Sequence, residues 1–363
     1  MAVAARVAVL PEKPGPLRIE EVQLPDPGPH QVLVRQHASG ICHSQLHQIH
    51  EPRESDVVLG HESTGTVLEV GPEVDSVRPG DRVMVTWLPR VLDPDRRPWT
   101  ATVRQADGRV AASQMVFTWA DHTLVDELFL VRMPEATPTD VTAIIGCAVM
   151  TGAGAVINTA DVQKGRGVAV FGVGGVGLAA IAAAHVRGAD PIIAVDLDDA
   201  KLDFAKRHGA THGVNASKGD AVERIHELTR DPERTDLMGQ PISGVDYAFD
   251  CIGAAEVARQ IAPSLRGQAM GSNLRSTGVF VGIPRGTFEM SPGELILHEK
   301  RLAGSLGGSS HPERDFPEYL DWYARGLLDL DVLVSRRFAL DEINQAVGEL
   351  EAGRIEGRAI LEF

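Results

Sequence analysis

A chain of 363 residues, 43% apolar and 23% charged, has the length of two ordinary domains and the make-up of a globular protein. Its net charge of −15 is spread along the chain, which argues against a nucleic-acid partner and says little about a substrate. Apolar runs all fall short of the roughly 20 residues of a membrane helix, so no membrane partner is expected.

Ala2 to Leu10, broken by Arg6 and followed by Pro11, reads as a first strand and not as an export signal. β-branched runs at Val3 to Val9 within it, and at Arg18 to Leu24, Gln31 to Gln36, Gly65 to Val70 and Asp81 to Val85, are parted by Pro and Gly turns such as Pro79-Gly80-Asp81. They predict a β-rich first 130 residues, a small barrel or sandwich, interrupted by a short helix near His43 to His50. Thr100 to Arg104 and Arg109 to Ala112 flank Asp107-Gly108 and read as a hairpin.

From about Gly165 the texture changes. Val168 to Phe171 is the short, wholly apolar run of a parallel strand buried on both faces. An Ala-rich helix from Val176 to Val186, a strand from Ile192 to Val195 and a helix from Ala200 to His208 follow. Strands at Val245 to Phe249 and Gly278 to Val281 continue an alternation that predicts a doubly wound α/β domain. A helix around Phe316 to Gly326 and a strand from Ala359 to Phe363 close the chain. Arg230 to Gly244 and Ser264 to Ser276 are long and polar; they read as surface loops with no assigned function.

The turn Gly172-Val173-Gly174-Gly175-Val176-Gly177 stands between strand and helix, where a dinucleotide fingerprint belongs. Gly172 permits the tight turn, Gly174 and Gly175 keep side chains away from a pyrophosphate, and Gly177 lets helix pack on strand. The helix N-terminus then offers open N–H groups to the phosphates. Asp196 follows Gly177 by 19 residues, where a carboxylate takes both ribose hydroxyls and repels a 2′-phosphate, so NAD is expected over NADP. Lys201 or Lys206 could serve a phosphate instead. A glycine turn without nucleotide is the plain alternative.

Three cysteines cannot build a disulfide framework, which points to a reducing cytoplasm and to thiols available for metal. Gly40 to His47 crowds Cys42, Ser44, His43 and His47 together. Taken singly, Cys42 reads as a small buried hydrophobe and the histidines as solvated groups. Gly60-His61-Glu62 and Gly146-Cys147-Ala148 change that reading. Two thiolates and an imidazole fill three corners of a zinc tetrahedron and leave the fourth open, as a catalytic zinc requires. Beside a dinucleotide site, such a metal would polarise an alcohol oxygen while hydride leaves for nicotinamide. Cys251, inside the α/β half, reads as a core thiol.

These motifs, with Gly60 to Gly71, Pro79 to Trp87, Val195 to Asp198 and Arg358 to Phe363, resemble the zinc-containing alcohol dehydrogenases of the medium-chain dehydrogenase/reductase family nearly end to end. The resemblance implies a GroES-like β-barrel catalytic domain from both chain ends, residues 1–148 and 306–363, around a Rossmann NAD-binding domain of residues 149–305, with the active site in the cleft. It implies Cys42, His61 and Cys147 as zinc ligands, Glu62 behind the metal, and Ser44 and His47 as a proton relay. His43 and Arg358 would neutralise the pyrophosphate, and Trp87 and Trp119 would line the substrate pocket.

One departure matters. Many relatives carry a second, structural zinc on four closely spaced cysteines, but Leu88 to Trp99 has none, so one zinc per chain is expected and the oligomeric state is in doubt. A homodimer through the Rossmann sheet edge is the default expectation. The expected activity is oxidation of a primary alcohol, or reduction of its aldehyde, with NAD exchangeable or tightly held. The alternatives are a polyol, secondary-alcohol or thiol-adduct formaldehyde dehydrogenase, or a non-catalytic NAD-binding regulatory protein.

Overall fold

Runs of β-branched residues punctuated by glycine and proline become strands in the first third of the chain, as their stiff side chains favour. The computed structural model describes residues 2–91, 93, 95–235, 239, 241–267 and 275–363. In chain order come β1 (Val3–Leu10), β2 (Arg18–Leu24), β3 (Gln31–Ile41), α1 (His43–His50), β4 (Val57–Val58), β5 (Glu62–Val70) and β6 (Arg82–Thr86). Then follow β7 (Thr102–Arg104), β8 (Val110–Ala112), β9 (His122–Asp126), β10 (Leu130–Arg132) and a 3₁₀ turn, Val141–Gly146.

The middle of the chain alternates. It runs α2 (Ala148–Gly154), β11 (Val168–Phe171), α3 (Gly175–Val186), β12 (Ile192–Asp196), α4 (Asp199–Arg207), β13 (His212–Asn215), α5 (Ala221–Thr229), β14 (Asp231–Thr235) and β15 (Pro241–Ile242). Next are β16 (Tyr247–Asp250), α6 (Ala255–Ser264), β17 (Thr277–Phe280), α7 (Gly293–Ile296) and β18 (Arg301–Gly304). The chain closes with α8 (Pro312–Ala324), α9 (Leu330–Leu333), β19 (Val334–Ala339), α10 (Ile343–Glu351) and β20 (Arg358–Glu362).

Two units form. The first comprises Met1–Ala148, His311–Ala324 and Leu330–Phe363; the second comprises Val149–Ser310 and Arg325–Asp329. In the first, β3 is the organising strand. It pairs antiparallel with β5, β9 and β20 within a sheet ordered β10-β6-β5-β3-β20-β19, and β2-β1-β4-β8-β7 form another. The hairpin expected around Asp107-Gly108 is β7 and β8, with Thr102 opposite Ala112.

In the second unit six parallel strands stand in the order β13-β12-β11-β16-β17-β18. The strand order reverses between β11 and β16, and the carboxyl ends of those two strands are where such sheets bind ligands. β11 is buried along its whole length, and α3 buries Gly177 through Ala184, where one glycine and five alanines let the helix lie close. Of the two polar connections, Arg230 to Gly244 carries the β14–β15 pair, while residues 236–238, 240 and 268–274 lie outside the described residues. Among the described residues no helix is long and apolar enough to cross a membrane.

Candidate metal centre and nucleotide turn

Two strand ends and a 3₁₀ turn deliver the metal-ligating candidates to one place in the first unit. β3 ends at Ile41, and Cys42 is the N-cap of α1. β20 runs antiparallel to β3 with Ala359 opposite Ile41, which brings Arg358 beside Cys42. β5 starts at Glu62, so His61 sits at its mouth. Gly60 makes the turn before it at φ +93°, where a side chain would strike Trp119 and Thr118. Cys147 follows the 3₁₀ turn, which Thr86 fastens by donating its hydroxyl to the Gly146 carbonyl at 2.8 Å.

The ligand atoms of Cys42, His61 and Cys147 all lie within 4.8 Å of one another, and His61 Nε2 is 3.2 Å from Cys147 Sγ. Zn–S bonds of about 2.3 Å and Zn–N bonds of about 2.0 Å put tetrahedral ligands at comparable spacings, so the donor set fits that ion. The Cys147 thiol hydrogen-bonds Cys42 and holds it well below the usual thiol range, against burial and with help from Arg358 and His61. The same bond, with burial, pushes Cys147 up. Such a pair gives up one proton easily and the second only to added positive charge, which a divalent cation brings.

Behind the donors lies Glu62, wholly buried. Its Oε2 accepts the Ala148 N–H at 3.2 Å and its Oε1 accepts from Arg358 Nη2. Burial pushes its carboxyl up, and Arg358 opposes that. Any side chain at Gly40 would overlap this carboxylate, which explains a glycine two residues before the ligand cysteine. Arg358 itself is 4% exposed; burial disfavours its charge, yet Glu62 and the cysteines hold the guanidinium above its ordinary value. Its charge is therefore paired inside this unit.

Ser44 and His47 occupy the first and second turns of α1, one helical turn apart, and His43 is exposed at the helix start. The Ser44 hydroxyl oxygen is buried without a hydrogen-bond partner, an orphan that calls for a ligand. Gln45, not singled out from sequence, is buried between two groups of the site. Its Oε1 accepts the Cys42 N–H at 2.9 Å and its Nε2 faces His61 Nδ1. Its position three residues after an N-cap was the available signal.

Two sequence expectations separate here. Trp87, directly after β6, is half-buried. Trp119 is not a pocket wall: it is 0% exposed, packed among Leu17, Ile41, Leu46, Leu59 and Phe338, with its indole N–H donated to the Gly40 carbonyl at 3.2 Å. The backbone bonds of Thr118 and Trp119 to the Leu59 carbonyl draw it into that core. The cysteine-free segment Leu88 to Trp99 is tied down by charge: Arg96 pairs with Asp126 at 2.7 Å, and the Trp99 N–H donates to the same carboxylate. Leu92 and Pro94 lie outside the described residues.

In the second unit the glycine turn joins β11 to α3. Gly172 takes φ +87° against Ile252, at the reversal of strand order. Gly177 leaves no room for a side chain over the Gly172 carbonyl, whereas a side chain at exposed Gly174 would meet nothing, so that face is open. Gly174 is the N-cap and Gly175 the first residue of α3, which leaves the first-turn N–H groups for an anion. Asp196 ends β12. Its Oδ2 accepts from Val173 N–H at 2.9 Å and its Oδ1 from Leu197 N–H at 2.8 Å, so it also braces the turn. Lys206 pairs with Asp203 at 2.9 Å, while Lys201 is half-buried on α4. Cys251, expected from the sequence to be a core thiol, is half-buried just past β16, and desolvation pushes its thiol up.

Residues 28–135 match the family described as alcohol dehydrogenase GroES-like domain, and residues 175–325 the family described as zinc-binding dehydrogenase. The chain is 33% identical to alcohol dehydrogenase class-3 of Cereibacter sphaeroides, covering 96% of this chain and 97% of that protein. It is 32% identical to S-(hydroxymethyl)glutathione dehydrogenase of Paracoccus denitrificans, with coverages of 96% and 97%. The crystal structure of benzyl alcohol dehydrogenase from Acinetobacter calcoaceticus superposes with a TM-score of 0.85 at 28% identity, covering 99% of each chain.

Proposed function

The chain belongs to the zinc-containing alcohol dehydrogenases of the medium-chain dehydrogenase/reductase family, and from that premise we propose how its own residues carry the reaction. It is an NAD-dependent zinc alcohol dehydrogenase with a GroES-like and a Rossmann-like domain. The observation that carries the site assignment is the convergence of the Cys42, His61 and Cys147 donor atoms within 4.8 Å. Cys42 and Cys147 as thiolates, with His61 through Nε2, would hold the zinc. When bound, zinc supplies Lewis acidity toward the alcohol oxygen and NAD the acceptor for hydride.

The remaining work falls to side chains. Ser44 takes the alcohol proton with its orphaned hydroxyl and gives up its own, since a hydroxyl both accepts and donates. His47, one turn along α1, receives that proton, because imidazole titrates near neutral pH. Ser44→Ala should lower kcat by about 10²-fold, the lower end of general acid–base contributions, with zinc content unchanged. Steady-state kinetics with metal analysis checks this; full activity in the variant would remove Ser44 from the relay.

His43 keeps its assignment to the cofactor phosphates; Arg358, expected from the sequence to help neutralise the pyrophosphate, is buried against Glu62 and is assigned instead as that carboxylate's counter-charge. Asp196 selects NAD: its carboxylate suits two ribose hydroxyls and repels a phosphate. Asp196→Asn keeps an oxygen for Val173 N–H but removes the charge. The NAD-over-NADP ratio of kcat/KM should fall at least about tenfold, since a hydrogen bond to a charged group is worth about 1.5–3 kcal/mol.

A primary alcohol is the proposed substrate, with half-buried Trp87 retained as a pocket residue. The thiol-adduct reading stays as a second one, supported by the Paracoccus relative. A homodimer through the outer edge of the parallel sheet is supported by β18 as its last strand and by Ile296 and Leu297, 74% and 73% exposed. Three free cysteines suit a cytoplasmic location. The deciding assay follows NADH formation from benzyl alcohol, aliphatic primary alcohols and S-(hydroxymethyl)glutathione, with zinc measured on the same sample. The expected outcome is one zinc per chain and turnover that stops with a chelator and returns with zinc; turnover untouched by metal removal would refute the zinc mechanism.

A further inference from the structure

Resting on the zinc reading above, we propose that Gln45 is a positioning residue for His61, and that its single acceptor oxygen leaves the metal less tightly held than a carboxylate there would. The amide of Gln45 spans two groups of the site, the Cys42 main-chain N–H and His61 Nδ1. It is 1% exposed, so both contacts are shielded from bulk solvent.

The chemistry of the contact decides what it does. Cys42 N–H is a donor under every condition. His61 points Nε2 toward Cys147 Sγ at 3.2 Å, so Nε2 is the ligand atom and must keep its lone pair for a metal. Its Nδ1 then carries the proton and becomes a second donor. A glutamine offers one carbonyl oxygen and one NH₂ group. With the oxygen on Cys42, the NH₂ meets the Nδ1–H of a metal-bound His61, donor against donor. With the amide turned over, the clash moves to Cys42. Either setting leaves one buried N–H short of an acceptor when zinc is bound, and a carboxylate would satisfy both.

A second role must be separated from this one. Gln45 is the third residue of α1, and its Oε1 on the N-cap N–H is half of a capping box. A residue that served only as a cap would leave the metal unaffected when another acceptor replaced it. Gln45→Glu keeps the cap and adds the second acceptor. Gln45→Leu removes both.

The test uses the full chain, stripped of metal and titrated with zinc against a chromophoric chelator, alongside cobalt(II)-loaded samples read by visible absorption. Gln45→Glu is expected to bind zinc about 10-fold or more tightly than the wild type, and Gln45→Leu more weakly, in line with the 10–100-fold effects of groups orienting metal-bound histidines. The cobalt absorption should shift in the same variants. Equal or weaker zinc affinity in Gln45→Glu would overturn the proposal while leaving the zinc site standing. A wild-type chain that takes up no zinc would overturn both. Should Gln45→Leu fail to fold, the glutamate variant alone decides.

Discussion

Cys147→Ala is expected to lower kcat/KM by about 10³–10⁴-fold and empty the protein of zinc while leaving NAD binding in place. The size follows from the several kcal/mol that a Lewis-acidic ion contributes to a developing charge, at about 1.4 kcal/mol per tenfold in rate. Removing the sulfur leaves Cys42 and His61 as the only partners in the donor set, and a catalytic zinc site needs three protein ligands. The rest of the molecule has little reason to respond. Cys147 is a single small side chain after a 3₁₀ turn held independently by Thr86, and the glycine turn and Asp196 belong to the second unit. Zinc by elemental analysis, NADH binding by fluorescence and steady-state rates on one preparation check all three arms. Retained zinc with retained turnover would show that Cys147 is a core thiol and that the metal sits elsewhere.

What could be read in advance depended on how local the signal was. The nucleotide turn was legible because its glycines, strand and helix are contiguous, and because β11 is too apolar to be anything but a buried parallel strand. The alternation of the middle third gave the parallel sheet for the same reason. Cys42, His61 and Cys147 were legible only together: each alone is an ordinary buried or surface residue, and their meeting depends on β3, β5 and a turn far along the chain. Trp119 was misread because its fate is set by backbone bonds to Leu59, which no residue type announces. β9 was missed although its residues are β-prone, since its identity as a strand comes from pairing with Gln31 to Arg35 of β3. α10 and β19 were missed because the mixed polar text of Val334 to Glu351 hides a helix whose core face is Ile343, Ala346 and Leu350, with Val347 packed beside them.

The buried pair of Arg358 and Glu62, 296 residues apart in sequence, is invisible until β20 docks on β3, and it sets the largest expected effect on stability. Arg358→Met keeps most of the side-chain volume and removes the charge. Glu62 would then be left at 0% exposure with the Ala148 N–H still donating to it, close to Cys147, whose thiol the neighbouring Cys42 and burial push up. Removing one member of a buried ion pair typically costs about 3–5 kcal/mol, because the other charge stays desolvated. Chemical denaturation should show that loss in the transition that reports the first unit. Glu62→Gln should suffer similarly from the arginine side, whereas the double variant Glu62→Gln/Arg358→Met removes both members of the pair and should lose much less than the sum of the singles. Strict additivity in that cycle would mean that the two groups do not act as a pair. Non-additivity would identify Arg358 as the counter-charge that lets a carboxylate persist behind the metal ligands.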